Sequence, residues 1–334
     1  YINLKKQFTR SFPFIGESNA IKKVREQIHK LADAGEDLFL MGETGTGKEV
    51  AANYYYISSN RFGKPFHTVN CSALTETLIE SELFGHTKGS VSNAERSKTG
   101  FFEECSNGVL FLDEVTNLSL VSQSKILRAI ENKEIQVVGG PMKKVDTRLI
   151  FASNANMQVL ANPERFRRDL FYRIEGNIVE LPPLRERGED ILLLMSFFLT
   201  SFTNKYNIND KLDLSTLSAH LLSYNWPGNI RELRNFCKFV MINEKTITNE
   251  VIIQHLNMKM NGKEVNRDME NSRYVNMNNL KASMTEYERD FLIYHLNSNH
   301  WQVSKTARVI GIERTTLYKK IKQLDITLMP EIKD

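Results

Sequence analysis

The sequence predicts an α/β fold, a parallel sheet flanked by helices, followed by a run of helices and a small all-α unit at the C-terminus. Three stretches carry this prediction. Met41-Gly42-Glu43-Thr44-Gly45-Thr46-Gly47-Lys48-Glu49 follows the apolar run Leu38-Phe39-Leu40 and leads into a helix-forming stretch near Val50. A strand, a glycine-rich turn and a helix N-terminus in that order make a pocket of backbone N–H groups that faces an anion. Gly108-Val109-Leu110-Phe111-Leu112-Asp113-Glu114 is a short apolar run ended by two acids, the pattern of a strand buried on both faces of a parallel sheet. Near the C-terminus, Val303 to Ile310, Gly311-Ile312 and Glu313 to Leu324 form helix, turn and basic helix.

Composition bounds the rest. With 334 residues, 41% hydrophobic and 25% charged, the chain is long enough for two or three globular domains with a sizeable core. A net charge of +4 by itself implies no polyanionic partner. The most apolar stretch, Ile191 to Phe202, is broken by Ser196 and Thr200 and is too short to span a bilayer, so no membrane is expected among the partners. Cys71, Cys105 and Cys237 are odd in number and lack metal-ligand spacing, which fits buried, reduced thiols in a cytoplasmic protein. A chain that opens on Tyr1 rather than Met has the look of part of a longer protein.

Residues 1–10 lack a clear period and are expected to be a tail or linker. Residues 11–183 form the sheet domain. Ile21, Val24, Ile28 and Leu31 recur at helical spacing ahead of the first strand. In the loop after it, Gly42, Gly45 and Gly47 let the main chain close around phosphate oxygens where a Cβ would clash. The whole loop, with Glu43, Thr44 and Thr46, is expected to hold a nucleotide, and Lys48 supplies a point charge to its outer phosphates. Glu49 stands where Ser or Thr would hold Mg²⁺, so the metal must lean on carboxylates elsewhere. Pro65 to Cys71 is a second strand and Gly108 to Glu114 a third. The acids of the third emerge at its carboxyl end, where open α/β sheets bind ligands. Asp113 is placed to hold Mg²⁺, and Glu114 to polarise the water that attacks a γ-phosphate.

Residues 184–256 are expected to be helical, with Ile191 to Phe202, Leu214 to Tyr224, Ile230 to Ile242 and Val251 to Leu256 as helices and Pro227-Gly228 as a turn. Residues 257–280, rich in Asn, Met and charge, form a linker. In the last unit, residues 281–334, Tyr287, Phe291, Tyr294 and Leu296 suggest one amphipathic helix. In the final helix Leu317, Ile321 and Leu324 share a face and leave Arg314, Thr315, Thr316, Lys319, Lys320 and Lys322 outward or on the flanks. As a helix-turn-helix, this unit puts Arg314, Thr315 and Thr316 at base edges of DNA, and Lys305, Lys319, Lys320 and Lys322 at phosphates.

The ordered series Gly42 to Glu49, Val69-Asn70-Cys71, Glu82-Leu83-Phe84-Gly85-His86, Leu110 to Glu114, Phe166-Arg167-Arg168-Asp169-Leu170, Leu181-Pro182-Pro183-Leu184-Arg185-Glu186-Arg187 and Trp226-Pro227-Gly228-Asn229-Ile230-Arg231-Glu232-Leu233 resembles the NtrC-type bacterial enhancer-binding proteins. These are AAA+ ATPases that activate transcription by the sigma-54 form of RNA polymerase. The resemblance covers nearly the whole chain from Phe14. It implies an AAA+ P-loop ATPase core with an α-helical lid and a Fis-type helix-turn-helix, ATP and Mg²⁺ as cofactors, and hydrolysis of ATP to ADP and phosphate. It also implies an assembly that runs from dimer to hexamer ring, an inverted-repeat DNA site upstream of the promoter, and sigma-54 RNA polymerase as partner. Upstream receiver or sensor domains are usual in the family, which makes a two-component system one expected setting.

The resemblance further implies roles for single residues. Glu49 is the family's usual residue at its position. Asn70 looks like the partner that holds the catalytic Glu114 aside, Asn154 like a sensor of the γ-phosphate, and Arg231 like a second sensor carried by the lid. Arg167 and Arg173 resemble the arginine fingers that reach into a neighbouring subunit, a contribution worth about 10³ to 10⁵ in rate, whereas Arg168 is expected to be a solvated helix charge. The chain departs from the family after Gly85-His86. The family's activators carry Gly-Ala-Phe-Thr-Gly-Ala at the tip that touches sigma-54, and this chain has Gly89-Ser90-Val91-Ser92-Asn93-Ala94. A rigid aromatic often dominates a small interface, and Val91 replaces it. Val137, where relatives usually carry Arg, is a second departure. Two readings stay open: an ATP-hydrolysing activator with a variant loop, or an ATP-binding, DNA-binding regulator that controls transcription without remodelling sigma-54. A metabolic nucleotide kinase leaves the C-terminal unit without a purpose.

Overall fold

The apolar runs of the first half pair into one parallel sheet. In the computed structural model, which describes residues 5, 8–9, 12–73, 75–90, 96–206, 209–210, 214–243, 246–270, 280–299, 301–324 and 326, the strands are β1 (Leu38–Met41), β2 (Phe66–Asn70), β3 (Val109–Asp113), the short pair β4 (Glu134–Gln136) and β5 (Met142–Lys144), β6 (Arg148–Ser153) and β7 (Ile178–Glu180). Five of them form a sheet in the order β2-β3-β6-β1-β7, parallel throughout. β4 and β5 make a separate antiparallel ribbon.

Successive residues of each strand point to opposite faces, and around the central strands β3, β6 and β1 both faces are buried. Leu38, Leu40, Val109, Phe111, Ile150 and Ala152 join one core, with Val24 and Ile28 of helix α1 (Asn19–Ala34) and Ala51 and Tyr55 of α2 (Lys48–Ser58). Phe39, Leu110, Leu112 and Phe151 join the other, with Leu83 of α3 (Glu76–Phe84), Ile126 of α4 (Leu120–Glu131) and Leu170 of α5 (Arg168–Ile174). This is why the strands are continuous apolar runs rather than alternating ones. Ser18 caps α1 by accepting from Ile21 N, and Gly35 ends it at φ 67°. Val137 is buried, so the departure at that position is a packing residue. The three cysteines are buried and unpaired, and burial pushes each thiol up to about 12.

After the sheet come α6 (Asp190–Tyr206), α7 (Leu214–Ser223), α8 (Asn229–Asn243) and α9 (Asn249–Glu270), then α10 (Leu280–Ser298), α11 (Val303–Val309) and α12 (Arg314–Gln323). The chain falls into two compact units, Tyr1–Leu256 and Asn257–Asp334. Among the described residues, no helix is long and apolar enough to cross a membrane.

Three expectations need correction here. The N-terminal stretch is not only a tail: Phe8 packs its ring against Phe12, Tyr56 and Phe62 at 5.1, 5.7 and 6.1 Å, a non-local contact that periodicity cannot show. The helix expected to end at Leu256 runs on to Glu270, through the stretch expected to be a linker; the sequence there is largely polar, so no apolar stripe marks it. Among the described residues of α10 the buried ones are Leu292 and Leu296, while Tyr287, Phe291 and Tyr294 are 54%, 40% and 67% exposed. The aromatic stripe therefore lies on the outer face of that unit.

One buried ion pair joins the start of α1 to the start of α6. Arg187 and Asp190 are each 1% exposed. Arg187 Nε donates to Asp190 Oδ2 at 3.2 Å, and Arg187 Nη2 donates to the Ile15 carbonyl at 2.8 Å. Asp190 also accepts from Glu17 N, Ser18 N and Ser18 Oγ at 2.6, 2.9 and 2.6 Å. Burial opposes the charge, but these donors outweigh it and hold the carboxyl below its ordinary value. Asp190→Ala leaves the Arg187 charge buried without its partner and should lower stability by about 3–5 kcal/mol, read by urea unfolding at pH 7. A depressed folded pKa contributes stability above the unfolded value and loses it as pH falls through the folded one. The gap between wild type and variant should therefore narrow below about pH 4.

Candidate nucleotide site and helix-turn-helix

β6 lies between β1 and β3, so the loops that leave the carboxyl ends of these three strands meet at one edge, the place where an open α/β sheet takes a ligand. From β1 comes the phosphate loop, from β3 the pair Asp113 and Glu114, and from β6 Asn154. These residues, apart from Asn154, share a cleft of about 730 Å³ with Thr44, Gly45, Thr46, Gly47, Glu49, Asn70 and the lid residue Arg231. Asn154 closes it, its Nδ2 donating to Thr44 Oγ1 at 3.4 Å.

Lys48 is buried, 8% exposed, and its Nζ donates to the carbonyls of Gly42 and Glu43 at 2.8 and 3.3 Å. The ammonium thus lies folded over the loop that would wrap a phosphate. Burial pushes its pKa below the ordinary lysine value, against the pull of Glu114 and Asp113 and with a smaller push from Arg231. Four charged groups thus feel one another across the cleft. Glu114 holds a left-handed backbone angle, φ 55°, uncommon outside glycine, and its N–H donates to Asp113 Oδ1 at 3.0 Å. Its Oε2 accepts from Asn154 N at 3.4 Å. Here an expectation fails: Asn70 does not hold Glu114. Its Oδ1 accepts instead from Ser72 N and Ser72 Oγ at 2.9 and 2.7 Å, a local Asx turn that competes for the amide.

Glu43 also departs from expectation, since its carboxylate turns away from the cradle toward the lid. It accepts from Arg185 Nη1 and Nη2 at 2.9 and 2.6 Å and from Asn229 Nδ2 at 3.0 Å. These hydrogen bonds, Arg185 first, hold it below the ordinary glutamate value. Neither Arg185 nor Asn229 has a site role on sequence grounds; their presence in the family series was the only signal. Glu232 closes the turn before α8 by accepting from Gly228 N and Tyr224 Oη, each at 2.9 Å.

The finger candidates lie away from this cleft. Arg167 caps α5 and pairs with Asp169, Nε to Oδ1 at 3.0 Å and Nη2 to Oδ2 at 2.7 Å. Arg173 is exposed and acts on Asp37, which precedes β1, whereas the phosphate loop follows it. Arg173 does not line the cleft that holds its own phosphate loop. Arg168 is exposed, as expected. The segment that carries Arg167 is fixed by Gln123, a buried residue that sequence reading missed. Its Nε2 donates to the carbonyls of Leu118 and Arg165 at 2.9 and 3.1 Å, and its Oε1 accepts from Arg167 N at 2.9 Å. Gln123→Leu, similar in volume, leaves those backbone groups without partners and should cost about 1–3 kcal/mol in urea unfolding, with faster proteolysis near Arg165.

Of the sigma-contact loop, Val91, Ser92, Asn93 and Ala94 lie outside the described residues. Its root is described. His86 and Lys98 exchange backbone hydrogen bonds at 3.0 and 2.9 Å, and Ser90 Oγ donates to Thr87 O at 2.6 Å, just after Gly89 at φ 80°.

In the C-terminal unit, Leu317 and Ile321 of α12 and Leu324 just beyond it are buried against Leu292, Leu296 and Trp301, and Gly311 makes the turn at φ 74°. Arg314, Thr315 and Thr316 are exposed on the first turn of α12, with Lys319, Lys322 and, on α11, Lys305 exposed beside them. The Arg314 guanidinium lies 5.6 Å from the Tyr318 ring centre. Lys320 differs from expectation: it is half-buried and paired with Glu288 of α10, so it braces the fold of the unit.

Comparison with known proteins covers each part. Residues 14–180 match the Sigma-54 interaction domain, residues 185–273 the AAA+ ATPase lid domain, and residues 283–324 the bacterial regulatory protein Fis family. The regulatory protein AtoC of Escherichia coli is 36% identical over 92% of this chain and 67% of its own. The transcriptional activator RocR of Bacillus subtilis is 34% identical over 96% of this chain and 71% of its own. NtrX of Brucella abortus, solved in complex with ATP, superposes with a TM-score of 0.69 at 29% identity, covering 97% of this chain and 73% of its own. The chain spans 57% to 67% of the length of the first two curated relatives. With the phosphate loop, the acids, the lid and the helix-turn-helix matched in order, the chain belongs to the NtrC family of sigma-54-dependent transcriptional activators.

Proposed function

We propose that the chain is an ATP-driven transcription activator that hydrolyses ATP between the subunits of a ring and acts on sigma-54 RNA polymerase from an upstream DNA site. The observation that carries this reading is the convergence of Lys48, Asp113 and Glu114 on one cleft that Arg231 enters from the lid, with Asn154, just after the neighbouring strand β6, bonded to the loop at Thr44. Lys48 leaves the Gly42 and Glu43 carbonyls for the outer phosphates. Asp113 is the carboxylate for Mg²⁺, and one carboxylate with phosphate oxygens is a usual set for that ion. When bound, Mg²⁺ neutralises charge on the phosphate oxygens. Glu114 polarises the attacking water once it leaves Asn154 N, so the restraint expected of Asn70 falls to Asn154.

Arg173 and Arg167 serve a neighbouring subunit. The separation of Arg173 from its own phosphate loop supports this, and the Asp169 pair keeps Arg167 charged and oriented until a neighbour competes for it. Adenine nucleotide as substrate is supported by NtrX, solved with ATP and with ADP. Sigma-54 as partner is supported by the domain match, which runs through the variant loop from residue 14 to 180. The reading without remodelling has no comparable support. Exposure of Arg314, Thr315 and Thr316 beside Lys305 and Lys319 supports an inverted-repeat DNA site, read by a dimer of the unit.

Lys48→Ala should abolish ATP binding, while Glu114→Gln should keep binding and lower turnover by about 10²–10⁴. Normal hydrolysis by Glu114→Gln removes it from the base role. Specific activity should rise with protein concentration, and Arg173→Ala should lower it by about 10³; turnover that is independent of concentration rules out the shared site. Retention of sigma-54 in ADP with aluminium fluoride tests the partner. Arg314→Ala should weaken binding to the specific site by about 1–3 kcal/mol and relax preference at one base pair, read by fluorescence anisotropy on wild-type and single-substituted operators.

A further inference from the structure

The phosphate loop and the lid are in direct contact. Gly45 O accepts from Ile230 N and Arg231 N, at 2.9 and 3.4 Å, so a carbonyl of the loop caps the first turn of α8. The approach is close enough that a Cβ on Gly45 would lie 2.4 Å from the Gly228 carbonyl oxygen. Asn229, fully buried, spans three segments with one amide. Its Oδ1 accepts from Leu184 N at 2.8 Å, in the stretch that leads from the sheet to the lid. Its Nδ2 donates to Glu43 Oε2 and to the Thr44 carbonyl, at 3.0 and 3.1 Å. Asn229 also holds φ 52°, a left-handed angle that Asn tolerates better than most side chains. Arg185 closes the far side of Glu43 with two parallel hydrogen bonds.

We propose that Asn229 is a positioning residue through which the phosphate loop sets the place of Arg231, so that filling the loop with phosphate moves the lid directly. The inference rests on the ATPase reading above. A phosphate that draws Lys48 off the Gly42 and Glu43 carbonyls changes the loop at the two residues just before Thr44, and Asn229 is bonded at Glu43 and Thr44. Helix α8 begins at Asn229, so its first turn follows, and Arg231 lies in that turn. Glu43 therefore belongs to the loop's connection with the lid, and Arg185 keeps its carboxylate aimed at Asn229. The second-sensor arginine would read the phosphate, while the Asn229 amide carries loop movement whether or not that guanidinium touches the nucleotide.

The test uses the full chain. Amide hydrogen exchange of the peptide from Asn229 to Leu233 is followed with and without a non-hydrolysable ATP analogue, alongside ATP turnover. In wild type the analogue should slow exchange at Ile230 and Arg231. Asn229→Asp keeps the bond from Leu184 N but sets a carboxylate against Glu43. It should lose about tenfold or more in turnover and most of the nucleotide-dependent protection. Adding Glu43→Gln to Asn229→Asp restores a donor across that contact and should recover turnover at least about fivefold, a rescue that a merely structural role does not give. Asn229→Gly accepts φ 52° without strain, removes the amide, and should lose turnover as Asn229→Asp does; it carries the test if the aspartate variant does not fold. Wild-type turnover and protection in Asn229→Asp or Asn229→Gly, or a double variant no better than Asn229→Asp, overturns the coupling and leaves the ATPase reading standing. A wild-type chain that binds no ATP overturns both.

Discussion

The backbone of the phosphate loop is the constraint on which the rest depends. Gly42, Gly45 and Gly47 stand at φ 155°, 83° and 102°, and at Gly45 the angle and the space act together. No side chain fits between that residue and the Gly228 carbonyl, so the loop can lie against the lid turn only with glycine there. The sheet holds one side of the loop and the lid holds the other. A nucleotide that settles into the loop therefore presses on two bodies at once, which a phosphate loop in an isolated sheet domain does not do.

Polar contacts across this boundary fall into two classes. Arg187 with Asp190 is almost wholly shielded and carries three further donors on the carboxylate, so it fixes where the lid begins relative to α1. Glu43 with Arg185 is partly exposed, 43% and 39%, and salt and water screen it. The first suits a permanent joint. The second, with its modest free energy, suits a contact that can re-form in a different geometry as the loop fills. The lid is thus anchored at one corner and adjustable at the other.

How much of this could be read in the sequence follows from the range of each interaction. Buried strands announce themselves, because residues that go to alternate cores must all be apolar; hence Leu38 to Leu40 and Val109 to Leu112 were legible, with Asp113 and Glu114 emerging where the apolar run stops. The helix-turn-helix was legible from the spacing of Leu317, Ile321 and Leu324. Side-chain direction was not. Asn70 turns to Ser72 two residues away, a local bond that wins over a distant partner, and Glu43 turns to residues 142 and 186 positions along the chain. Gln123 is invisible for the same reason, since two of its three partners are backbone groups 42 and 44 positions away. On α10 a stripe of aromatics suggests a core face by type alone, and Leu292 and Leu296 take that place.

The arrangement of charge argues for a site completed by a second copy. Around its own loop the cleft is lined by the cations Lys48, Arg187, Arg231 and Arg234. None of these cations comes from β3 or β6, the strands that bring Glu114 and Asn154 to the cleft edge. The exposed Arg173 lies outside the cleft of its own loop, and Gln123 holds the Arg167 backbone while leaving its guanidinium at the surface. A rigid mount for an exposed guanidinium has little value to the subunit that carries it. It has value to a neighbour, because an arginine that arrives already oriented loses less conformational entropy when it binds a phosphoryl group. Under the proposed shared site, hydrolysis depends on assembly, and the helix-turn-helix unit would bring copies together on DNA.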